Sequence, residues 1–148
     1  METKNLWESL SGYGKMIPPF EMIKEQANYL EQTTSSLLIG EVLSRFKPSI
    51  DEIPDFYKNN KEVDLSNFVF CDFNIIVPNI NNYKLALLRC VYSILYIYPA
   101  NVIDYINEKV YTVDNENEVM SALSQIIQSK RVNTIINNLF SQSLRNNM

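Results

Sequence analysis

The chain has 148 residues, of which 46% are hydrophobic and 20% charged, and it carries a net charge of −4 without a single histidine. This length and composition indicate one globular domain and exclude a largely disordered chain. The acidic balance opposes binding to phosphate backbones and anionic lipids, so we expect neither nucleic acid nor a membrane as a partner.

The N-terminal region lacks the features of a signal peptide, because no basic start is followed by an apolar run. The longest apolar-rich stretch, residues 85–100, is interrupted by Arg89, Ser93 and Pro99. A membrane-spanning helix needs about 20 apolar residues in succession. We therefore expect a cytoplasmic protein.

The first predicted helix follows a short arm. Residues 1–17 show no sustained hydrophobic period and are predicted to form an N-terminal arm. Pro18 and Pro19 suit the start of a helix, since proline presets φ and lacks a donor that would be unpaired there. Apolar residues then recur at spacings of three and four, which predicts a helix over residues 18–34.

The next segment, residues 37–46, contains Gly40, which would cost a helix interior about 1 kcal/mol relative to alanine. We predict a strand here, and a continuation of the first helix is the alternative. Residues 47–67 hold prolines, asparagines and scattered charge, which predicts a surface loop with a short helical turn near residues 53–58. This loop is either functional or a plain connector.

The clearest strands are residues 68–77 and 83–92, and the sequence PNINN between them is typical of a turn. A hairpin register that pairs residue 77 with residue 84 places Cys71 opposite Cys90 and Asp72 opposite Arg89. One face of this hairpin is then free of charge apart from Lys84 at the turn. We predict that this charge-free face packs against the helices.

The other face of the hairpin combines apolar side chains, among them Phe70 and Leu87, with the Asp72 and Arg89 charge pair. It is too apolar to lie fully in water, so we expect something to cover part of it. The part left open is the best available binding surface.

The C-terminal half continues the alternation of strands and helices. Residues 94–98 and 102–106 predict a further strand region bent at Pro99, and residues 109–113 predict its pairing partner. Asp114 or Asn115 is predicted to cap a second helix, with Glu118 in capping-box spacing after Asn115. Ser129 is a plausible cap for a third helix.

These elements predict an α+β fold: a single domain with a four- or five-stranded antiparallel sheet, an N-terminal helix, and two C-terminal helices packed on one face. The domain is expected to span residues 18–144, with the arm of residues 1–17 before it and a frayed tail of residues 145–148 after it.

No motif predicts catalysis. Residues 12–15 (GYGK) lack the spacing of a phosphate-binding loop, and residues 114–119 lack the glycine of a calcium loop. Cys71 and Cys90 are too few for a disulfide framework or a zinc site, and without histidine they have no obvious activating base. We expect reduced core thiols, no catalytic residue, no metal and no cofactor.

The leading hypothesis is therefore a non-catalytic protein-binding module that inhibits or regulates another protein. An immunity-type inhibitor of a toxin, or a small accessory subunit of a larger bacterial conflict or defence complex, has the expected size and acidity. The candidate partner-binding residues combine the mixed sheet face with tyrosines, which are enriched in interfaces. They are Phe70, Asp72, Leu87, Arg89, Tyr96 and Tyr98.

Two alternatives stay open. The first is a small-ligand-binding protein or enzyme with a pocket between helix 1 and the sheet, in which Asp72, Arg89 and tyrosine hydroxyls anchor the ligand. The second is a homodimer joined through the mixed sheet face. A deep cavity with converging polar groups would favour the ligand, and a filled core with a flat apolar face would favour a protein partner.

Overall fold

The computed structural model describes residues 2–8, 10, 14–46, 52–58 and 67–146. The other residues of the predicted arm and of the 47–67 loop, and the last two of the predicted tail, lie outside these ranges. The helices and strands are α1 (Pro19–Thr33), β1 (Ile39–Phe46), α2 (Asp55–Lys58), β2 (Phe68–Val77), β3 (Tyr83–Ser93), β4 (Ala100–Asp104), β5 (Lys109–Val113), α3 (Glu116–Ile127) and α4 (Lys130–Asn146).

The five strands form one antiparallel sheet in the order β1-β2-β3-β4-β5, so each strand pairs with its neighbours in sequence. The N-terminal helix and the two C-terminal helices pack on one face of this sheet, which we call the helix face. The predicted single-domain α+β architecture is confirmed. Within the described ranges, no helix is both long enough and apolar enough to cross a bilayer.

The first helix and the strand after it are confirmed. Pro19 lies in the first turn of α1, and Thr34 ends the helix by donating its hydroxyl to the Leu30 carbonyl and accepting the Leu38 amide. Ser35 and Ser36 then adopt positive φ values of 51° and 65°. The helix therefore cannot continue, because consecutive left-handed residues reverse the chain direction.

Gly40 brings α1 directly onto β1. A Cβ atom built at Gly40 would lie 2.5 Å from the Cβ atom of Ala27 and 2.8 Å from its Cα atom. Any larger residue at position 40 would push the helix away from the sheet. The same glycine that argued against a helix in the sequence is therefore required in the strand, because α1 packs too closely for a side chain there.

The central hairpin confirms part of the expected register. Cys71 pairs with Cys90 and Asp72 with Arg89, but Val77 pairs with Tyr83, so the expected 77–84 pairing is wrong. The turn is tighter by one residue, since Asn81 and Asn82 adopt the left-handed conformation.

A bulge between Phe73 and Asn74 absorbs this difference and leaves Leu87 without a residue opposite it on β2. Leu87 consequently lies in the core of the helix face, 1% exposed, and not on the opposite face where the sequence placed it. A bulge changes the face to which the next side chain points. The prediction assumed that side chains alternate regularly between the two faces, so it placed Leu87 on the wrong one.

The region around Pro99 differs from prediction. Residues 94–96 form a turn and residues 97–99 are irregular, because Ile97 has a positive φ of 47° and donates its amide to the Ser93 carbonyl. β4 ends at Asp104, whose Oδ1 atom accepts the amides of Ile106 and Asn107. The predicted strand over residues 94–98 is wrong, and the strand over 102–106 is displaced to Ala100–Asp104.

The predicted N-caps of the two C-terminal helices are confirmed. The Asn115 side chain accepts the Glu118 amide at 2.9 Å, which caps the start of α3, and it also donates from Nδ2 to the Glu118 carboxylate at 3.0 Å. The Ser129 hydroxyl accepts the Val132 amide at 3.2 Å at the start of α4. Helix α4 continues through Asn146, so two of the four residues of the predicted tail, Arg145 and Asn146, are helical.

The helix face of the central strands buries two thiols and a phenol. Burial raises the pKa of the Cys71 thiol to about 12 and also raises the pKa values of Cys90 and Tyr92. A neutral thiol or phenol can be buried in an apolar core at little cost, whereas burial of its anion carries a large desolvation penalty. These groups therefore oppose ionisation in the folded state.

We predict that Gly40→Ala lowers the free energy of unfolding by about 1–3 kcal/mol, because the new methyl group must displace Ala27. Urea denaturation followed by circular dichroism would measure the change. Ser44→Ala, at an exposed position of the same strand, is the matched control and should change stability by less than about 0.5 kcal/mol. Equal effects of the two substitutions would show that α1 does not rest on Gly40.

We also predict that stability declines at alkaline pH. The pKa values of Cys71, Cys90 and Tyr92 are higher in the folded than in the unfolded chain, so their contribution is complete below their ordinary values and is lost as pH rises toward their folded values. The urea midpoint should be constant near neutral pH and should fall above about pH 9. Replacing both cysteines with valine should reduce the decline between about pH 9 and 10. A midpoint that stays constant up to about pH 11 would contradict this prediction.

Candidate functional site

The face of the sheet opposite the helices is partly covered by the chain itself. Ile53 and Tyr57, on the segment of residues 52–58, form a second buried cluster with Phe68, Phe70, Val91 and Ile103 of the sheet. The Tyr57 ring meets the Phe68 ring edge-on, with centroids 5.0 Å apart. The expected cover of this face, and the expected helical turn near residues 53–58, are both present.

An ion cluster holds this cover in place. The Arg89 guanidinium donates from Nε and Nη2 to both carboxylate oxygens of Asp72, and from Nη1 to the Oε1 atom of Glu52 at 2.7 Å. Arg45 approaches Asp72 from β1 with an Nη2–Oδ2 distance of 3.4 Å. Glu52 therefore connects the covering segment to a paired charge in the middle of the sheet.

The environment of Arg89 is aromatic as well as acidic. Its guanidinium carbon lies 5.3 Å from the centroid of the Phe70 ring and 5.8 Å from that of Tyr105. Burial is the largest single influence on the pKa of Arg89 and would lower it. The hydrogen bonds that Arg89 donates to Asp72, together with the charges of Asp72, Tyr105 and Glu52, outweigh burial and raise the pKa above its usual range. Arg89 is thus a permanent cation whose three nitrogens all contact carboxylates of this chain. It acts as an anchor and not as a free anion receptor.

Two further hydrogen bonds extend the ion cluster toward β4 and β5. The Asn101 side chain donates to the Glu52 carbonyl at 2.9 Å, and the Thr112 hydroxyl donates to the Asn101 side-chain oxygen at 2.7 Å. Beside this network lies a shallow cleft of about 270 Å³ bordered by Glu52, Asp55, Lys58 and strands β4 and β5. The covering segment is consequently fixed to three strands.

Where the cover ends, large apolar side chains are exposed. Phe56, Ile94, Leu95 and Tyr96 lie near the start of β2 and the end of β3, and we call these four residues the strand-end patch. They are 62%, 51%, 65% and 67% exposed. Such a group of large side chains is unusual on a soluble surface unless another molecule covers it.

Contacts with the rest of the protein hold Phe56 and Ile94 of the strand-end patch in place. The Phe56 ring meets the Tyr57 ring edge-on at 5.2 Å. Burial raises the pKa of Tyr57, with a smaller contribution from the Tyr96 phenol. The Ile94 amide donates to the Asn67 carbonyl at 2.8 Å, which holds the turn against the start of β2.

A cavity of about 280 Å³ lies between α1, α4 and the helix face of the sheet, where the ligand hypothesis expected one. Its lining includes Phe73, Ile75 and Leu87, with Gln26 and Asn133 among its polar members. Asp72 and Arg89 lie on the opposite face of the sheet. Of the expected polar anchors, Asp72 and Arg89 therefore do not line this cavity, whereas one tyrosine, Tyr29, does.

The residues predicted to bind a partner are separated by the structure. Phe70 and Leu87 are almost fully buried, Phe70 under the covering segment and Leu87 under the helices. Asp72 and Arg89 form the centre of the ion cluster, with side chains only 12% and 14% exposed. These four residues support the fold, three of them on the covered face and Leu87 on the helix face.

The two predicted tyrosines behave differently. Tyr96 is exposed in the strand-end patch, whereas the hydroxyl of Tyr98 is buried without a hydrogen-bond partner among the described residues. Burial, aided by the charge of Glu116, raises the pKa of Tyr98 to about 12. Tyr96 is therefore the member of the predicted set that another molecule can reach most easily.

Sequence reasoning missed Phe56, Leu95 and Glu52. Phe56 and Glu52 belonged to a segment with no hydrophobic period, and Leu95 was assigned to a strand. A visible signal existed in the run of Ile94, Leu95 and Tyr96, which places three large apolar side chains in succession shortly before Pro99. No group of three or more acidic or cysteine side chains close enough to hold a metal occurs in the part of the chain that the structure describes.

The fold and this surface define an α+β protein with a five-stranded meander, a self-covered second face and an exposed apolar patch at one end. Comparisons of the chain with models of protein families, with curated proteins and with solved structures found no match.

We predict that Arg89→Met lowers the free energy of unfolding by about 2–4 kcal/mol, since Asp72 and Glu52 would keep their charges without their main partner. Residues 52–58 should become sensitive to limited proteolysis at the same time. Arg45→Met is the control: this side chain is 51% exposed, and its loss should cost less than about 1 kcal/mol. Similar losses from both substitutions would contradict the central role of Arg89.

Proposed function

We propose that this protein is a non-catalytic binding module that inhibits or regulates a partner protein through its strand-end patch. The observation that supports the proposal best is the exposure of Ile94, Leu95 and Tyr96 in the turn that follows β3, together with the exposure of Phe56 on the covering segment. Aromatic and large aliphatic side chains of this kind form the centres of protein interfaces.

Apolar area supplies the driving force for such an interface. Transfer of apolar surface from water stabilises a complex by about 25 cal/mol per Å². Tyrosine adds a hydroxyl that can find a hydrogen-bond partner at the edge of the contact. A patch that combines Tyr96 and Phe56 with two aliphatic side chains thus has the chemistry of an interface centre.

The patch is also held in shape before binding. Glu52 and Ile53 fix the covering segment that carries Phe56, while the amides of Ile94 and Ile97 are bound to backbone carbonyls. The Leu95 amide is held by the Ser93 hydroxyl at 3.2 Å. A preorganised surface loses less conformational entropy on association, so more of its contact energy appears as affinity.

Charge and composition support a regulatory role without chemistry. The net charge of −4 favours association with a basic protein surface. The sequence contains no histidine, and burial raises the pKa values of both thiols. These features suit an immunity-type inhibitor of a toxin, or a small accessory subunit of a bacterial defence complex, that acts by occluding its partner.

We predict that the double substitution Leu95→Asp with Tyr96→Ala abolishes partner capture. The tagged wild-type protein and the variant would be used to isolate partners from an extract of the native host, with quantitative mass spectrometry as the readout. The partner identified would then be titrated against both proteins by calorimetry. A loss of affinity of at least about tenfold is expected, because truncated hot-spot residues each cost more than about 1 kcal/mol.

The control for this experiment is Leu144→Asp, an equally simple charge insertion at a half-exposed leucine of α4. Helix α4 ends beside the β2–β3 turn, where Asn146 donates to the Asn79 carbonyl, so Leu144 lies far from the strand-end patch. This variant should retain the partner. A partner held equally by all three proteins, or no specific partner for the wild type, would refute the proposal.

A further inference from the structure

A second surface is independent of the strand-end patch. β1 is an edge strand of eight residues, and in the described ranges it pairs only with β2. Its second half, residues 43–46, is exposed, with Leu43 at 44% and Phe46 at 59%. Proteins commonly protect long edge strands with proline, bulges or inward charges, because a free edge attracts another strand.

The charges on β1 are arranged symmetrically about Leu43. Glu41 lies two residues before Leu43 and Arg45 two residues after it, so all three side chains point to the same face of the sheet. This face carries the ion cluster, because Leu43 pairs with Asp72 and Glu41 with Asn74. A strand with opposite charges at equal distances from its centre is complementary to its own antiparallel copy.

We propose that β1 pairs with β1 of a second copy of this chain, in an antiparallel register centred on Leu43, so that the two sheets join into one of ten strands. A two-fold axis at Leu43 places Glu41 opposite Arg45 of the second copy and repeats this ion pair on the other side. Leu43 meets its own counterpart between the two ion pairs.

The charge pattern selects this register over its neighbours. An axis at Glu41 would place two carboxylates opposite each other, and an axis at Arg45 would place two guanidinium groups opposite each other. Parallel pairing would also bring like charges together. Like charges directly opposite each other weaken a sheet, so these arrangements are disfavoured.

The side chains have bonding capacity left for a second copy. Lys84 and Asn74 both contact the Oε1 atom of Glu41, at 2.7 and 3.2 Å, and the Glu41 side chain is 28% exposed. Arg45 contacts Asp72 with an Nη2–Oδ2 distance of 3.4 Å, and its side chain is 51% exposed. The new ion pairs therefore add to the existing contacts and do not replace them.

The same register also accounts for the two ends of the strand. It places Phe46 of the second copy opposite Gly40, on the helix face. Gly40 presents no side chain because Ala27 occupies that space. Since the space above Gly40 is filled, the Phe46 ring of the second copy would lie beside the Ala27 methyl group and not over the glycine. That contact would reduce the exposed apolar area of Phe46.

The test is the mass of the protein in solution as a function of concentration, measured by sedimentation equilibrium. The wild type should approach twice 17.2 kDa. Glu41→Arg and Arg45→Glu should each weaken self-association at least about tenfold, since both exchange two attractive pairs for two repulsive ones. Circular dichroism would verify that each variant is folded.

Mixing the two variants provides the decisive measurement. A strand with arginine at positions 41 and 45 is complementary to a strand with glutamate at both positions, so an equimolar mixture should recover the dimer that neither variant forms alone. The variant with Leu95→Asp and Tyr96→Ala should dimerise like the wild type. A wild type that stays monomeric, a dimer insensitive to either charge reversal, or a mixture without recovery would overturn the proposal.

Discussion

The central hairpin is buried on both faces, and this constraint governs the rest of the structure. Nine of the ten residues of β2 are buried, and the last four residues of β3 are buried as well. An antiparallel sheet often leaves one face in water. Here the helices cover one face, and the other face must recruit a cover from the chain between β1 and β2.

That second cover needs polar contacts as well as apolar ones. The face contains Asp72, Asn74, Arg89 and Asn101 next to its aromatic cluster, and buried polar groups are costly unless they are paired. Glu52 meets this requirement by completing the coordination of Arg89, while Ile53 and Tyr57 fill the apolar part. The short covering segment can therefore bury this partly polar face only because the ion cluster pairs the buried charges.

The covering segment is too short to cover the whole second face. The strand-end patch and the edge of β1 both lie outside the area that it covers. The strand-end patch lies next to the contact between Tyr57 of α2 and Phe68 at the start of β2. The second surface is the outer edge of β1, the first strand of the sheet. The two surfaces differ in character. The patch is aromatic and aliphatic, as suits a different protein, whereas the edge carries symmetric charges that suit an identical strand.

The candidate site shows how far local reasoning extends. Hairpin alternation correctly paired Asp72 with Arg89, because strand pairing across a short turn depends on neighbouring residues. It did not indicate that Glu52, which is 37 residues away from Arg89 in sequence, completes the cluster. Tyr96 was recognised from its residue type, but Phe56 and Leu95 were not, since their exposure depends on how the cover and the turn pack.

The sequence by itself determined the order and type of most elements, because hydrophobic period, helix caps and turn residues act over a few positions. Examples are the Asn115 side chain that caps α3, and the left-handed asparagines of the β2–β3 turn. Only the tertiary structure decided the bulge that turns Leu87 inward, the turn at residues 94–96, and the closure of the second face. These features depend on burial and charge pairing between segments that are distant in sequence. Local sequence patterns therefore do not predict them.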